Sequence, residues 1–230
     1  MVFLINLEKL LLGGSKMIKS FLRQNKLTKT AYANAKKKWK RYWIQKNGIK
    51  ELSVVTKVLN KNGILAFADF GTLLGLVREK RLLKHDLDID IGVINSNNSC
   101  KKIEKIFNRL NYKKSREFMV DGIVAEQSFV KKRIKIDIQY YFDLEDGMFC
   151  YLFYNKNLIK EGYWQAVKKK CSKVNNVQMI DIKNHSIYIP NNAEDLLVDK
   201  YGDNWRTPDT GWLYWEGPNT IKADVLGKLV

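Results

Sequence analysis

The sequence predicts an α+β fold, and three observations carry that prediction. Between Lys50 and Leu110, apolar residues recur at helical spacing: Leu52, Val55, Val58 and Leu59, then Ile103, Ile106, Phe107 and Leu110. From Tyr112 onward the pattern changes to short runs rich in β-branched and aromatic residues, as in strands. Between the two helical stretches lies Asp86-Leu87-Asp88-Ile89-Asp90-Ile91, where carboxylate and aliphatic residues alternate with the period of a strand.

Residues 1–47 read as a basic helical appendage to a main domain of residues 48–230. From Ser15 to Lys50 there is no acidic residue, while Lys and Arg alternate with Phe21, Tyr32, Trp39, Tyr42 and Trp43. Such a segment suits a helix lying on anionic lipid, or a solvated helix that packs one stripe onto the main domain. Lys50 to Asn60 is an amphipathic helix, ended at Asn62-Gly63 by a residue free to take φ > 0. Ile64 to Asp69 is a buried strand. Gly71 marks a tight turn or close backbone approach, and Thr72 is expected to cap the next helix. Gly75 inside that helix costs roughly 1 kcal/mol against Ala, which points to a close helix–strand contact.

The Asp-rich strand follows, then a polar turn at Asn95–Ser99 and a helix from Lys101 to Leu110. Phe118–Val124, Ala125–Lys131 and Ile134–Tyr140 read as three short strands, and Phe149–Tyr154 as an aromatic one after a turn at Asp143–Gly147. Lys156 to Lys183 is basic and shows no clear period. Ser186–Pro190 is a strand, and Asn191 or Asn192 caps a helix to Tyr201. Tyr201 to Pro208 forms a compact aromatic loop. Trp212, Tyr214 and Trp215 near the end suit core or interface packing, with ligand stacking as the alternative.

The formal net charge of +17, from 41 basic and 24 acidic residues, implies attraction to anionic partners. A Lys- and Asn-rich composition also arises from genome bias, so nucleic acid is not an expected partner. Cys100, Cys150 and Cys171 are widely spaced with no paired motif, which argues against a zinc site or a disulfide framework. No apolar stretch approaches the ~18 residues of a membrane-spanning helix, and the first residues lack the basic start of a signal peptide. The expected location is cytoplasmic, at most peripheral on the inner face of the plasma membrane.

The chemistry centres on the alternating aspartates. On a strand, Asp86, Asp88 and Asp90 share one face, where carboxylates repel unless a cation lies among them. Such an oxygen-rich face suits a hard cation; a solvated loop is the competing reading, since Asp favours turns. Asp137, flanked by Ile136 and Ile138, either faces solvent or joins the Asp88 and Asp90 face, depending on register. Gly71-Thr72 opening a helix is a place for phosphate.

Three segments in order, Gly71-Thr72-Leu73-Leu74-Gly75 with Arg78, then Asp86-Leu87-Asp88-Ile89-Asp90, then Ile189-Pro190 with Tyr201-Gly202-Asp203 and Pro208, resemble the LicD family. That group includes bacterial phosphocholine transferases and fukutin-related ribitol-phosphate transferases, and the likeness spans about Lys50 to Pro208. The resemblance implies a nucleotidyltransferase-like fold, a small mixed sheet flanked by helices. It also implies a cation-dependent transferase, using Mg²⁺ (or Mn²⁺), that moves a phospho-alcohol from a CDP-alcohol to a glycan or lipid-linked saccharide. On that basis Asp88, Asp90 and Asp137 are the expected catalytic and metal-binding residues, with Gly71, Thr72, Arg78, Asp86, Tyr201, Trp205 and Arg206 as substrate contacts. His85-Asp86-Leu87 departs from the family's usual Trp-Asp-acid pattern. The chain also lacks the cysteine cluster of the fukutin-related branch, which points to the bacterial type. Competing readings are a nucleotidyltransferase that attaches NMP itself, and a non-catalytic basic binding module.

Overall fold

The computed structural model describes residues 26–95, 99–154 and 161–230. The apolar first residues and the basic positions up to Arg23 lie outside the described residues, as do the middle of the Asn95–Ser99 turn and the start of the Lys156–Lys183 stretch. The described elements are α1 (Lys26–Lys61), β1 (Ala66–Ala68), α2 (Phe70–Glu79), β2 (Ile89–Ile94), α3 (Ser99–Arg109), β3 (Lys113–Val120) and β4 (Ile123–Lys131). They continue with β5 (Ile134–Leu144), β6 (Gly147–Tyr154), β7 (Tyr163–Cys171), β8 (Val177–Ile182), β9 (His185–Pro190), α4 (Ala193–Tyr201) and β10 (Thr220–Leu229).

The architecture is α+β. Eight strands form one mixed sheet in the order β1-β2-β5-β4-β3-β10-β7-β6, and β5 pairs again with β6. The pairings from β5 through β4, β3, β10, β7 and β6 therefore close into a ring. β2 and β5 run parallel, with Asp90 opposite Asp137, and the other pairings of this sheet are antiparallel. β8 and β9 form a separate hairpin.

Period-2 alternation separates the two faces of β2 and β5. Ile89, Ile91, Ile136 and Ile138 are fully buried on one face. That core includes Leu52, Val55 and Leu59 of α1 and Phe107 of α3, whose ring stacks on Phe129 at 4.1 Å. The opposite face carries Asp90 and Asp137. A second, smaller core inside the ring contains Phe118, Val120, Ala125, Phe153 and Ala166.

Several elements differ from the sequence expectation. α1 runs unbroken across residues 47 and 48, where the composition changes. It ends at Gly63 with φ 73°, as expected. The cap of α2 is Asp69, not Thr72: its carboxylate accepts the Phe70 N–H at 2.8 Å. Thr72 already lies in the first turn, where its hydroxyl is used elsewhere. β2 begins only at Ile89, so Asp86 and Asp88 precede the strand. The expected strand Phe118–Val124 is divided by a turn at Asp121-Gly122, both with positive φ (49° and 80°). An Asp-Gly pair of that conformation matches the twist of a hairpin, and it joins β3 to β4. β7, β8 and β10 fall where no strand was expected; their Lys-rich or half-exposed faces blur the alternation. Gly75 does allow a close approach, but to the loop that follows α2 and not to a strand: a Cβ there would lie 2.6 Å from the Arg81 carbonyl oxygen and 2.9 Å from the Leu83 nitrogen.

Lys169 of β7 fastens the start of β10 and the residues just before it. Its side chain is buried and donates to the Pro218 carbonyl and, at 3.1 Å, to the Thr220 hydroxyl. Burial lowers its ammonium pKa to about 8, below the ordinary lysine value near 10.4. In the window between these values the unfolded chain binds more protons than the folded one, so folding stability rises with pH. Urea unfolding from pH 8 to 10 should show this rise in the wild type relative to Lys169→Met; identical profiles would assign Lys169 no part in it.

Candidate active site

The site is assembled at the start of β2 and the middle of β5, beside the β1–α2 turn. Asp90 and Asp137 are register partners on parallel neighbours, so both carboxylates project from the same face. Asp88 precedes the strand but is drawn to the same point by Lys135. The Lys135 ammonium lies 3.1 Å from Asp88 Oδ2 and 2.5 Å from Asp137 Oδ2. Lys135 and Asp137 are two apart on β5, which puts them on one face. Arg116 of β3 approaches the same Asp137 Oδ2 at 3.8 Å and pairs closely with Glu126 of β4. The other oxygen of Asp137, Oδ1, is buried, and the hydroxyl of Ser128, the register partner of Asp137 on β4, is the donor at hand for that carboxylate.

The β1–α2 turn fixes β2 from the other side. The Asp69 N–H donates to the Asp90 carbonyl at 3.0 Å. The Asp90 N–H donates to the Thr72 hydroxyl at 2.8 Å, and Thr72 is fully buried. Asp69 is itself held by the Tyr141 hydroxyl, which donates to Oδ2 at 2.7 Å, and by the Lys200 ammonium, which donates to Oδ1. Lys200 also sits over the Phe70 ring at 4.3 Å from its centroid. Asp69 and Lys200 are both excluded from solvent. Burial opposes the Lys200 charge, and Asp69 outweighs it, so its pKa lies above the ordinary value.

Crowding of carboxylates is the electrostatic signature of the site. Asp90 is raised well above the usual carboxylate range by burial, then by Asp88, Asp137, Asp86 and Asp69. Asp137 is raised by burial, with Asp88 adding to the shift and Lys135 opposing it. Asp86 is pushed up to about 7 by burial, Asp88 and Glu79. Its Oδ2 is buried without a partner and would lie 3.4 Å from a Cβ at Gly71, so glycine there leaves room for the carboxylate. Glu126 is pushed up to about 7 by burial and Asp137, against Arg116. Lys40 of α1 joins the same field; burial lowers its pKa while Asp88 and Asp137 oppose that.

Among the described residues no three His, Cys, Asp or Glu side chains form a ready-made ligand cluster. Instead the Lys135 ammonium stands between Asp88 and Asp137, where a shared cation would go. The donor set is hard oxygen, and it already holds a cationic stand-in. Those features fit a divalent cation once Lys135 withdraws.

The remaining expected residues lie at the edge. Arg78, at the end of α2, does not pair with Asp86; it donates to the Trp205 carbonyl at 3.2 Å and to Glu79 at 3.1 Å. Tyr201 ends α4, packs against Trp212 at 5.3 Å, and has its phenol pKa raised by burial and by Asp90, Asp69 and Asp86, which places it by the acids. Trp205 is 4 % exposed and belongs to the core, which leaves its ring no open face for a base or sugar. Arg206 lies over Trp205 at 4.2 Å and pairs with Glu194, away from the aspartates. Lys135, Arg116, Glu126, Lys40, Asp69 and Lys200 were not expected at the site. For Lys135 a signal existed, because Lys135-Ile136-Asp137 puts both charges on one face; for Lys200, within a helix, none did.

The Asp69–Lys200 pair yields an expected outcome. Removing one partner of a buried pair leaves an uncompensated charge and costs about 3–5 kcal/mol. Lys200→Met and Asp69→Asn should each lower stability by that order in urea unfolding, with the double variant costing clearly less than their sum. Additive single effects would mean that the two groups do not support each other.

Comparison with known families agrees with this geometry. No curated protein matches the chain. A family model described as "LicD/FKTN/FKRP, nucleotidyltransferase domain" matches residues 63–192. The match begins just after α1, takes in the β1–α2 turn, all of the aspartates and Lys135, and ends at Asn192 before α4. It covers more than half of the chain, so the protein belongs to the LicD family of nucleotidyltransferase-like transferases.

Proposed function

We propose that this protein transfers a phospho-alcohol, such as phosphocholine, ribitol phosphate or glycerol phosphate, from a CDP-activated donor to a sugar of a cell-surface glycan, releasing CMP. The observation that carries this reading is the register of β2 against β5, which sets Asp90 beside Asp137 and, through Lys135, brings Asp88 to them within a LicD domain.

Asp88, Asp90 and Asp137 would hold Mg²⁺ or Mn²⁺. When bound, the cation neutralises charge that develops on the transferring phosphoryl group. In the proposed reaction the acceptor hydroxyl oxygen forms a bond to the alcohol-bearing phosphorus of the donor. The bond from that phosphorus to the bridging oxygen breaks, and CMP leaves with its electron pair. The hydroxyl proton passes to a carboxylate at the site. Asp137 is the candidate for that role in the alternative in which it does not hold a cation; burial and Asp88 raise its proton affinity. Backbone N–H groups at Gly71 and Thr72 would meet the donor phosphates at the start of α2; the Thr72 hydroxyl is committed to Asp90. Arg78 and Tyr201 would border the donor, and Asp86 would contribute charge rather than direct coordination.

A nucleotidyltransferase that attaches NMP uses the same carboxylates but releases pyrophosphate, and the family's nucleotidyltransferase domain keeps it in view. Purified protein offered CTP, ATP and CDP-alcohols with Mg²⁺ separates the two. CMP formed from a CDP-alcohol supports the proposal, and pyrophosphate formed from CTP or ATP overturns it. Asp88→Asn, Asp90→Asn and Asp137→Asn should each reduce turnover on the order of 100-fold or more, matching several kcal/mol of lost charge stabilisation. EDTA should abolish it.

We further propose a cytoplasmic protein that touches the membrane through residues 1–47. Within the described part, Lys29, Lys36, Lys37, Arg41 and Lys46 of α1 are exposed, as is Tyr42 at 54 %. Basic and aromatic groups together suit anionic lipid, and no helix among the described residues is long and apolar enough to cross a membrane. Wild-type protein should co-sediment with phosphatidylglycerol vesicles more than a variant in which Lys29, Lys36, Lys37, Arg41 and Lys46 are changed to Gln; equal sedimentation ends the idea.

A further inference from the structure

We propose that Lys135 is the resident counter-ion of the aspartate site, which a divalent cation must displace, and that this exchange makes cation and diphosphate donor bind together. This rests on the proposed function above in taking Asp88, Asp90 and Asp137 as cation ligands.

The geometry supplies the first half. The Lys135 ammonium contacts one oxygen from each of two separate chain segments, Asp88 Oδ2 at 3.1 Å and Asp137 Oδ2 at 2.5 Å. A cation shared by those carboxylates needs the same space, and two positive charges do not share it. The Lys135 charge also offsets repulsion among the aspartates at the β2–β5 pair. The neighbouring cations are less suited to the exchange. Arg116 is committed to Glu126 and reaches Asp137 only at 3.8 Å. Lys40 belongs to a different element, α1, and is grouped with Lys135 and the aspartates only through its field.

The second half follows from charge and reach. The Lys135 side chain is 20 % exposed and its four-carbon stem lets the head move while Ile134 and Ile136 stay buried. A cation arriving alone turns the ammonium toward solvent, since Glu126, whose field it shares, is already paired with Arg116. A cation arriving with a diphosphate brings oxyanions that take the displaced ammonium. Free cation is therefore bound weakly, and cation with donor strongly. The affinity of each rises with the other by the same factor.

Two measurements test this. In the first, Mn²⁺ binding is followed by electron paramagnetic resonance in the wild type and in Lys135→Met, which removes the charge and keeps an apolar stem. Free Mn²⁺ should bind roughly tenfold or more tightly to the variant. Saturating CDP should tighten Mn²⁺ binding by a similar factor in the wild type and far less in the variant. In the second, made on the wild type alone, reductive methylation of lysines is mapped by mass spectrometry. Lys135 should react slowly without metal, severalfold faster with Mn²⁺, and slowly again with Mn²⁺ plus CDP. If both proteins bind free Mn²⁺ equally, or Lys135 labelling ignores Mn²⁺, the counter-ion role is overturned while the metal site stands. If neither protein binds Mn²⁺ with or without CDP, or Asp88→Asn and Asp137→Asn bind it as well as the wild type, the metal site itself is overturned and the counter-ion role with it.

Discussion

The buried pair of Asp69 and Lys200 is the interaction on which the rest of the site depends. Asp69 occupies the turn between β1 and α2, and every polar group it owns is in use. Its N–H holds the Asp90 carbonyl, one carboxylate oxygen caps α2 and accepts from Lys200, and the other accepts from Tyr141 of β5. A single residue thus joins β2, α2, β5 and α4. The charge is tolerable in the core because Lys200 matches it and the Phe70 and Tyr141 rings flank the ammonium. Pairing of this kind is weak as a source of stability but strong as a constraint, because only one arrangement satisfies all of the partners.

With the turn fixed, the register of two parallel strands does the remaining work. Because side chains alternate with period 2, a slip of one residue between β2 and β5 would carry Asp137 to the buried face and Ile136 or Ile138 to the site. The isoleucines resist that slip. They are fully buried against α1 and α3, and their burial on one face compels the aspartates to the other. Apolar packing on the far side of the sheet therefore positions the acids. Those acids are held closer than carboxylates prefer, which raises Asp90, Asp137 and Asp86 together and gives the site its demand for positive charge. Lys135 meets part of that demand.

Membership of the LicD family agrees with this arrangement, since the matched residues 63–192 contain the turn, the acids and the β5 strand. Two groups that shape the site lie outside the match. Lys200 enters from α4, and Lys40 enters from α1, the helix whose basic first half was expected to be an appendage. α1 also supports the loop before Asp86 directly, through Gln45 donating to the Leu83 carbonyl at 2.9 Å and Arg41 to the His85 carbonyl at 3.4 Å. The basic segment is continuous with the helix that closes the core, and part of its charge serves the aspartates.

The sequence by itself determined the class of the fold and the helices and strands with strong periodicity, because period is local, and it supplied the acids proposed for the site. The turn at Gly71 could be read for the same reason, whereas the strand expected over Asp86–Asp90 begins only at Ile89. The tertiary structure alone decided which face Asp137 takes, because that depends on strand register. It decided that Asp69 rather than Thr72 caps α2, that Thr72 serves the Asp90 backbone, and that Trp205 is core rather than ligand surface. It also placed β7, β8 and β10, whose half-exposed, Lys-rich patterns become strands only because neighbours complete their hydrogen bonds. The aspartate stretch that first suggested a cation thus proved to need partners from β5, α4 and α1, since charge is compensated in space and not along the chain.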